Sequence, residues 1–131
     1  AVNFVNDEGL LMAPAYAVSD MLREANLRLQ DFDFYEIHEA FAAQTIATLK
    51  AWQSEKFCRD RLGRNEPMGP LDLARLNVKV VSIAMGDPFA ATGALIVGTM
   101  AKLLSENGSG RGLISVCTAG GMGVTAIMEA A

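Results

Sequence analysis

Segments of helical and of extended periodicity alternate along this chain, and that alternation admits few folds. Val18, Met21, Leu22, Ala25 and Leu29 recur at the spacing of one helix face, with Pro14 placed to open that helix. Ile96, Met100, Leu103 and Leu104 do the same in a second helix, expected over Pro88–Ser105. A third, rich in Ala, Leu and Gln, is expected over Glu39–Gln53. Between and around them stand short apolar or aromatic runs that read as strands: Val2–Val5, Asp31–Ile37, Val78–Met85, Leu113–Cys117 and Val124–Met128. Asp7-Glu8-Gly9 is an expected turn. Strands interleaved with helices predict an α/β fold: a mixed, mostly parallel five-stranded sheet with helices on both faces, closed by an antiparallel pair. At 131 residues, positions 1–131 form one domain.

Charge and composition narrow the function. The net charge of -4 lacks the basic footprint that phosphate binding leaves, which excludes a nucleic-acid reader. No uninterrupted apolar run is long enough to predict a membrane span. The first residues, AVNFVNDEG, lack the basic and apolar regions of a secretory signal. A chain that opens on Ala reads as a processed or excised piece. Cys58 and Cys117 are too few for a disulfide framework and point to a reducing compartment. One histidine, His38, leaves no multi-His metal site.

Residues 54–78 break the pattern with Lys56, Arg59, Arg61, Arg64 and two prolines, a long loop with a short helix near Leu71–Arg75. Its bases could meet the phosphates of a ligand, or simply form a solvated charged surface.

Three motifs carry candidate chemistry. "HEAFA" at His38–Ala42 sits between a strand and a helix, where open α/β sheets collect ligands. His38 and Glu39 could equally just open the helix. "GDPFAATGA" runs from Gly86, with Asp87 placed as a helix N-cap and Pro88 at the first helical position. "CTAGGMG", Cys117–Gly123, sets a thiol beside glycines at a strand end, either a reactive site or a tight corner. A dinucleotide loop fits poorly, because a strand follows where a helix should begin.

Together and in this order, the three motifs resemble the second half of a thiolase. The details are most similar to the 3-ketoacyl-CoA thiolases of fatty-acid β-oxidation, including the trifunctional-enzyme β-subunit type, and the likeness covers nearly the whole chain. The resemblance implies cleavage of a 3-ketoacyl-CoA by CoA, or the reverse condensation, with a CoA thioester as substrate and no further cofactor. It implies a first half, not in this sequence, that supplies the nucleophilic cysteine. It also implies a homo-oligomer of the full-length protein, working in the cytoplasm or, in a eukaryote, the mitochondrial matrix. On the matching positions, Cys117 would be the acid/base for the α-proton, and His38 would hold a water in an oxyanion hole. Ala119, beside Cys117, would offer its backbone N–H to an oxyanion hole, and Ala119, Gly120 and Phe89 would bind the substrate. The alternative in another class is a non-catalytic module that binds an acyl-CoA or a protein.

The sequence departs from that family on the catalytic segment. Asp87 stands where the family carries the histidine of "GHP". An ionised carboxylate accepts hydrogen bonds only and would repel a developing oxyanion. Val80-Val81 replaces a usual Gly-Gly, and Leu95 a common Arg. With the nucleophile half absent as well, the chain alone is predicted to be catalytically silent.

Overall fold

The computed structural model describes residues 1–4, 9, 11–79 and 82–131. The expected turn at Asp7-Glu8, the end of the first strand at Val5 and the Val80-Val81 pair lie outside these residues. Strands β1 (Val2–Phe4), β2 (Phe34–Ile37), β3 (Arg111–Thr118) and β4 (Met122–Glu129) form one sheet in the order β1-β4-β3-β2. The longer helices are α1 (Ala13–Ala25), α2 (Ala42–Gln53) and α5 (Thr92–Asn107); α3 (Glu55–Asp60) and α4 (Ser82–Met85) are short.

The fold is α/β with helices on both faces of the sheet, as expected, but two features of the sheet differ. It has four strands, and only β2 and β3 run parallel; β1 with β4 and β3 with β4 are antiparallel. Among the described residues, no strand covers the run expected over Val78–Met85. Val78 is exposed and Ser82–Met85 is a single turn of helix. The reason lies at the edge of β2. Only Tyr35 and Leu76 bridge there. Asn77 then takes the left-handed conformation, and its side chain both accepts from the Ile37 N–H at 2.8 Å and donates to the Ile37 carbonyl at 3.0 Å. One amide thus occupies the edge groups a further strand would have used.

Alternation along β3 divides the core. Leu113 joins Val18, Met21, Leu22 and Trp52 on the α1 side, together with Tyr35 and Ile37 of β2. Ile114 faces Ile96, Met100 and Leu104 of α5 on the other side. α1 ends at Ala25 because Asn26 turns left-handed, so Leu29 reaches the core from the following loop, not from the helix. α5 ends at left-handed Gly108, whose N–H returns to the Leu104 carbonyl. By length and mean hydropathy the helical run Phe89–Asn107 could cross a membrane. Its Ile96–Met100–Leu104 stripe packs on the sheet.

The long loop is less open than expected. α3 occupies Glu55–Asp60, and Leu73–Arg75 forms the expected short turn as a 3-10 helix. Its bases are largely used locally. Lys56 pairs with Asp60 at 2.7 Å, and Arg59 with Glu55 and Asp60. Arg64 grips Ser19.

Candidate functional site

Parallel pairing puts the carboxyl ends of β2 and β3 at the same edge of the sheet. Ile37 is in register with Ser115, and the His38 N–H continues the ladder to the Ser115 carbonyl at 2.8 Å. That register brings the His38 ring to Cys117, near the end of β3. Nδ1 lies 3.5 Å from Cys117 Sγ and 3.1 Å from the Cys117 carbonyl oxygen. Both side chains are buried, His38 at 5% and Cys117 at 3% exposure.

Asp87 arrives from the opposite side of the ring. Its Oδ2 is 3.2 Å from His38 Nε2, and its Oδ1 accepts from the Thr92 hydroxyl at 2.5 Å. The expectation that Asp87 caps the helix needs correction. Pro88 precedes a 3-10 turn over Phe89–Ala91, and α5 starts only at Thr92, with Ala91 at its N-cap position. The carboxylate therefore satisfies a side-chain hydroxyl inside the first turn, and not the first free N–H groups of α5. The Thr92 hydroxyl holds the Asp87 carboxyl below its ordinary value, ahead of an opposing effect of burial. His38 and the Phe89 N–H lower it further.

Burial pushes the Cys117 thiol up. The backbone N–H groups of Ala40 and of Cys117 itself pull it down, and the charge of Asp87 pushes it up again. Ala40 stands just ahead of α2, so the chain after "HE" wraps an N–H donor onto the sulfur. Glu39 turns away, accepting from Asn77 Nδ2 at 3.0 Å.

The other expected site residues lie around this core. Ala119 and Gly120 form the exposed β3–β4 turn, where Gly120 and Gly121 take positive φ angles of 81° and 76°. Phe89 is 87% exposed and has a φ of 39°, unusual for an aromatic residue. Cys58 lies elsewhere, in the α1-side core, its thiol donating to the Trp52 carbonyl. Sequence reasoning missed Thr92 and the Ala40 N–H. Thr92 had a visible signal, a hydroxyl a few residues after an Asp at a helix entry. The Ala40 contribution is backbone and has none.

A family model described as "Thiolase, C-terminal domain" matches residues 1–130. The chain belongs to the thiolase family, as its C-terminal domain. It is 43% identical over 122 residues to the 3-ketoacyl-CoA thiolase of Shewanella sp. (strain W3-18-1), covering 93% of this chain and 28% of that protein. The corresponding thiolase of Alteromonas mediterranea is 44% identical with the same coverage. Among solved structures, the peroxisomal 3-ketoacyl-CoA thiolase of Saccharomyces cerevisiae superposes with a TM-score of 0.74 at 33% identity, over 96% of this chain and 31% of its own. An acetyl-CoA acetyltransferase from Syntrophomonas wolfei reaches a TM-score of 0.78 at 26% identity, over 98% and 30%. The thiolase domain described here thus spans under a third of the relatives it matches.

Proposed function

We propose that this thiolase domain supplies the acid/base half of an enzyme that cleaves 3-ketoacyl-CoA with CoA, or condenses acyl-CoAs, and that alone it does not turn over. The observation that carries this is the apposition of His38 and Cys117 at the carboxyl ends of two parallel strands. Cys117 exchanges the α-proton of the acyl group, and the His38 pocket receives the developing oxyanion through ordered water. The substrate is a CoA thioester, with no further cofactor. Two free thiols suit the cytoplasm, or a mitochondrial matrix.

Support for an absent covering half comes from the surface. Ile83, Met85, Phe89, Leu95 and Val97 are all exposed along one stretch that spans the site segment. Apolar side chains in such density mark a contact face. The yeast relative is described as two core domains of identical topology in five layers, which is one way such a face becomes covered.

Acetoacetyl-CoA thiolysis, measured for the chain alone and with a thiolase first half supplied, tests the reading. Turnover is expected only in the second case. Turnover by the chain alone, or saturable CoA binding with no turnover in either case, would reject it; the latter outcome belongs to a non-catalytic binding module.

A further inference from the structure

β2 is an edge strand, and among the described residues only the isolated bridge between Tyr35 and Leu76 lies outside it. Along such a strand, alternate residues turn their backbone groups inward to β3 or outward to the open edge. Ile37 faces outward, and Asn77 meets it with both ends of one amide. Oδ1 accepts from the Ile37 N–H at 2.8 Å, and Nδ2 donates to the Ile37 carbonyl at 3.0 Å. Nδ2 also donates to Glu39 Oε1 at 3.0 Å, so this side chain holds the residues on either side of His38. The peptide unit between Ile37 and His38 is thereby held on both edges. Asn77 holds its carbonyl, and the Ser115 carbonyl holds its N–H at 2.8 Å. That unit sets the direction in which the His38 side chain leaves the backbone. From there Nδ1 reaches the Cys117 carbonyl at 3.1 Å and lies 3.5 Å from the sulfur. Asn77 is itself anchored, its N–H donating to the Tyr35 carbonyl at 2.8 Å. Its φ of 51° is left-handed, a conformation that costs free energy in most residues and that asparagine and aspartate tolerate.

We propose that Asn77 is a positioning residue of the site: its side-chain amide stands in for a neighbouring strand at Ile37, fixes the peptide unit ahead of His38 and so holds the imidazole against Cys117. A strand end bonded on one edge alone frays, because its outer N–H and C=O turn to water and the chain can rotate. One amide prevents this at a single residue, and its second N–H takes Glu39 as well. The left-handed turn at position 77 is what aims that amide back at the edge. An extended residue there would continue alongside β2 and send its side chain to one face of the sheet. Asparagine meets both demands, since it tolerates the conformation and carries a donor and an acceptor on one short side chain. Glycine keeps the conformation and loses both groups; aspartate keeps the conformation and the acceptor. If Asn77 merely terminates the edge, its loss lowers stability without moving the ring.

The effect on turnover rests on the role proposed for His38 above; the tether itself does not. His38 is the chain's only histidine, so NMR reads its ring without ambiguity. In the full chain, nuclear Overhauser contacts between that ring and the Cys117 side chain are expected, together with slow exchange of the Ile37 amide. Asn77→Gly should remove the contacts and speed Ile37 exchange about tenfold. Asn77→Asp should give intermediate exchange. Arg64→Ala frees the long loop from Ser19, and should lower stability while leaving both readouts as they are. With a thiolase first half supplied, Asn77→Gly should lower kcat for acetoacetyl-CoA thiolysis about tenfold, about 1.4 kcal/mol of transition-state stabilisation, and change KM by no more than about twofold. Ring contacts and Ile37 exchange unchanged in Asn77→Gly, or lost to the same degree in Arg64→Ala, would overturn the tether. Lost contacts with an unchanged kcat would overturn the positioning role. Absence of thiolysis in every form would reject the functional reading and leave the two NMR readouts to decide the tether.

Discussion

Trp52 reaches out of α2 to donate its indole N–H to the Ala15 carbonyl, 3.2 Å away in α1. Its ring is fully buried, so one side chain fills the core and ties α2 to α1. Trp52→Phe keeps much of the volume but strands the carbonyl, and should cost about 1–3 kcal/mol. Trp52→Ala should cost about 3–5 kcal/mol. Urea unfolding midpoints compare the two directly; equal losses would mean that the hydrogen bond contributes nothing.

Gly123 and Gly98 should respond in opposite directions to alanine. At Gly123 a Cβ would stand 2.5 Å from the Pro14 nitrogen and 2.6 Å from the Ala13 carbonyl carbon. These are backbone atoms at the start of α1 and cannot swing aside, so Gly123→Ala should destabilise by about 1–3 kcal/mol. Gly98 sits exposed within α5 with open space around it, and Gly98→Ala should stabilise by about 0.5–1 kcal/mol. Melting temperatures of the pair decide whether close packing of α1 on β4 sets the requirement.

Glu36 makes stability depend on pH. It is 1% exposed, and its Oε1 has no hydrogen-bond partner. Burial, with a smaller push from Glu39, raises it from 4.5 to about 7. The folded state therefore binds a proton that the unfolded chain releases between these values. Stability is full below pH 4.5, declines by about 1.4 kcal/mol per pH step, and has lost on the order of 3 kcal/mol above pH 7. Glu36→Gln should flatten that decline in a pH series of denaturation curves. An unaltered slope would assign the dependence to another group.

Arg64 secures the long loop by donating Nε to the Ser19 hydroxyl and a terminal nitrogen to the Ser19 carbonyl, both at 2.8 Å. Lysine cannot reproduce this fork. Arg64→Ala and Arg64→Lys should both lower stability by about 1–3 kcal/mol and speed proteolysis between positions 61 and 71. Cleavage no faster than in the unsubstituted chain would place the loop's order elsewhere.

Much of this molecule was readable in one dimension, because its signals are periodic or local. The α1 and α5 faces follow from the spacing of Val18, Met21 and Leu22 and of Ile96, Met100 and Leu104. The candidate site was legible through motifs that carry a family resemblance, and the family assignment agrees with it. The fifth strand was misjudged because β-branched Val78 has a strand's composition, while the edge it would occupy is taken by the side chain of Asn77. Nothing local to residues 78–85 announces that competition.

The same division holds at the site. Sequence alone determined which groups are available: one imidazole, a thiol beside a glycine turn, and a carboxylate where the family has a histidine. It also determined strands β2 and β3, which carry His38 and Cys117, because periodicity and turn residues act over a few positions. Only the tertiary structure decided what Asp87 faces. Parallel pairing of β2 with β3 swings His38 onto Cys117, and the turn before α5 points the carboxylate at the far side of that ring. Whether a charge repels or stabilises depends on distances between residues far apart in the chain, and only packing sets those distances.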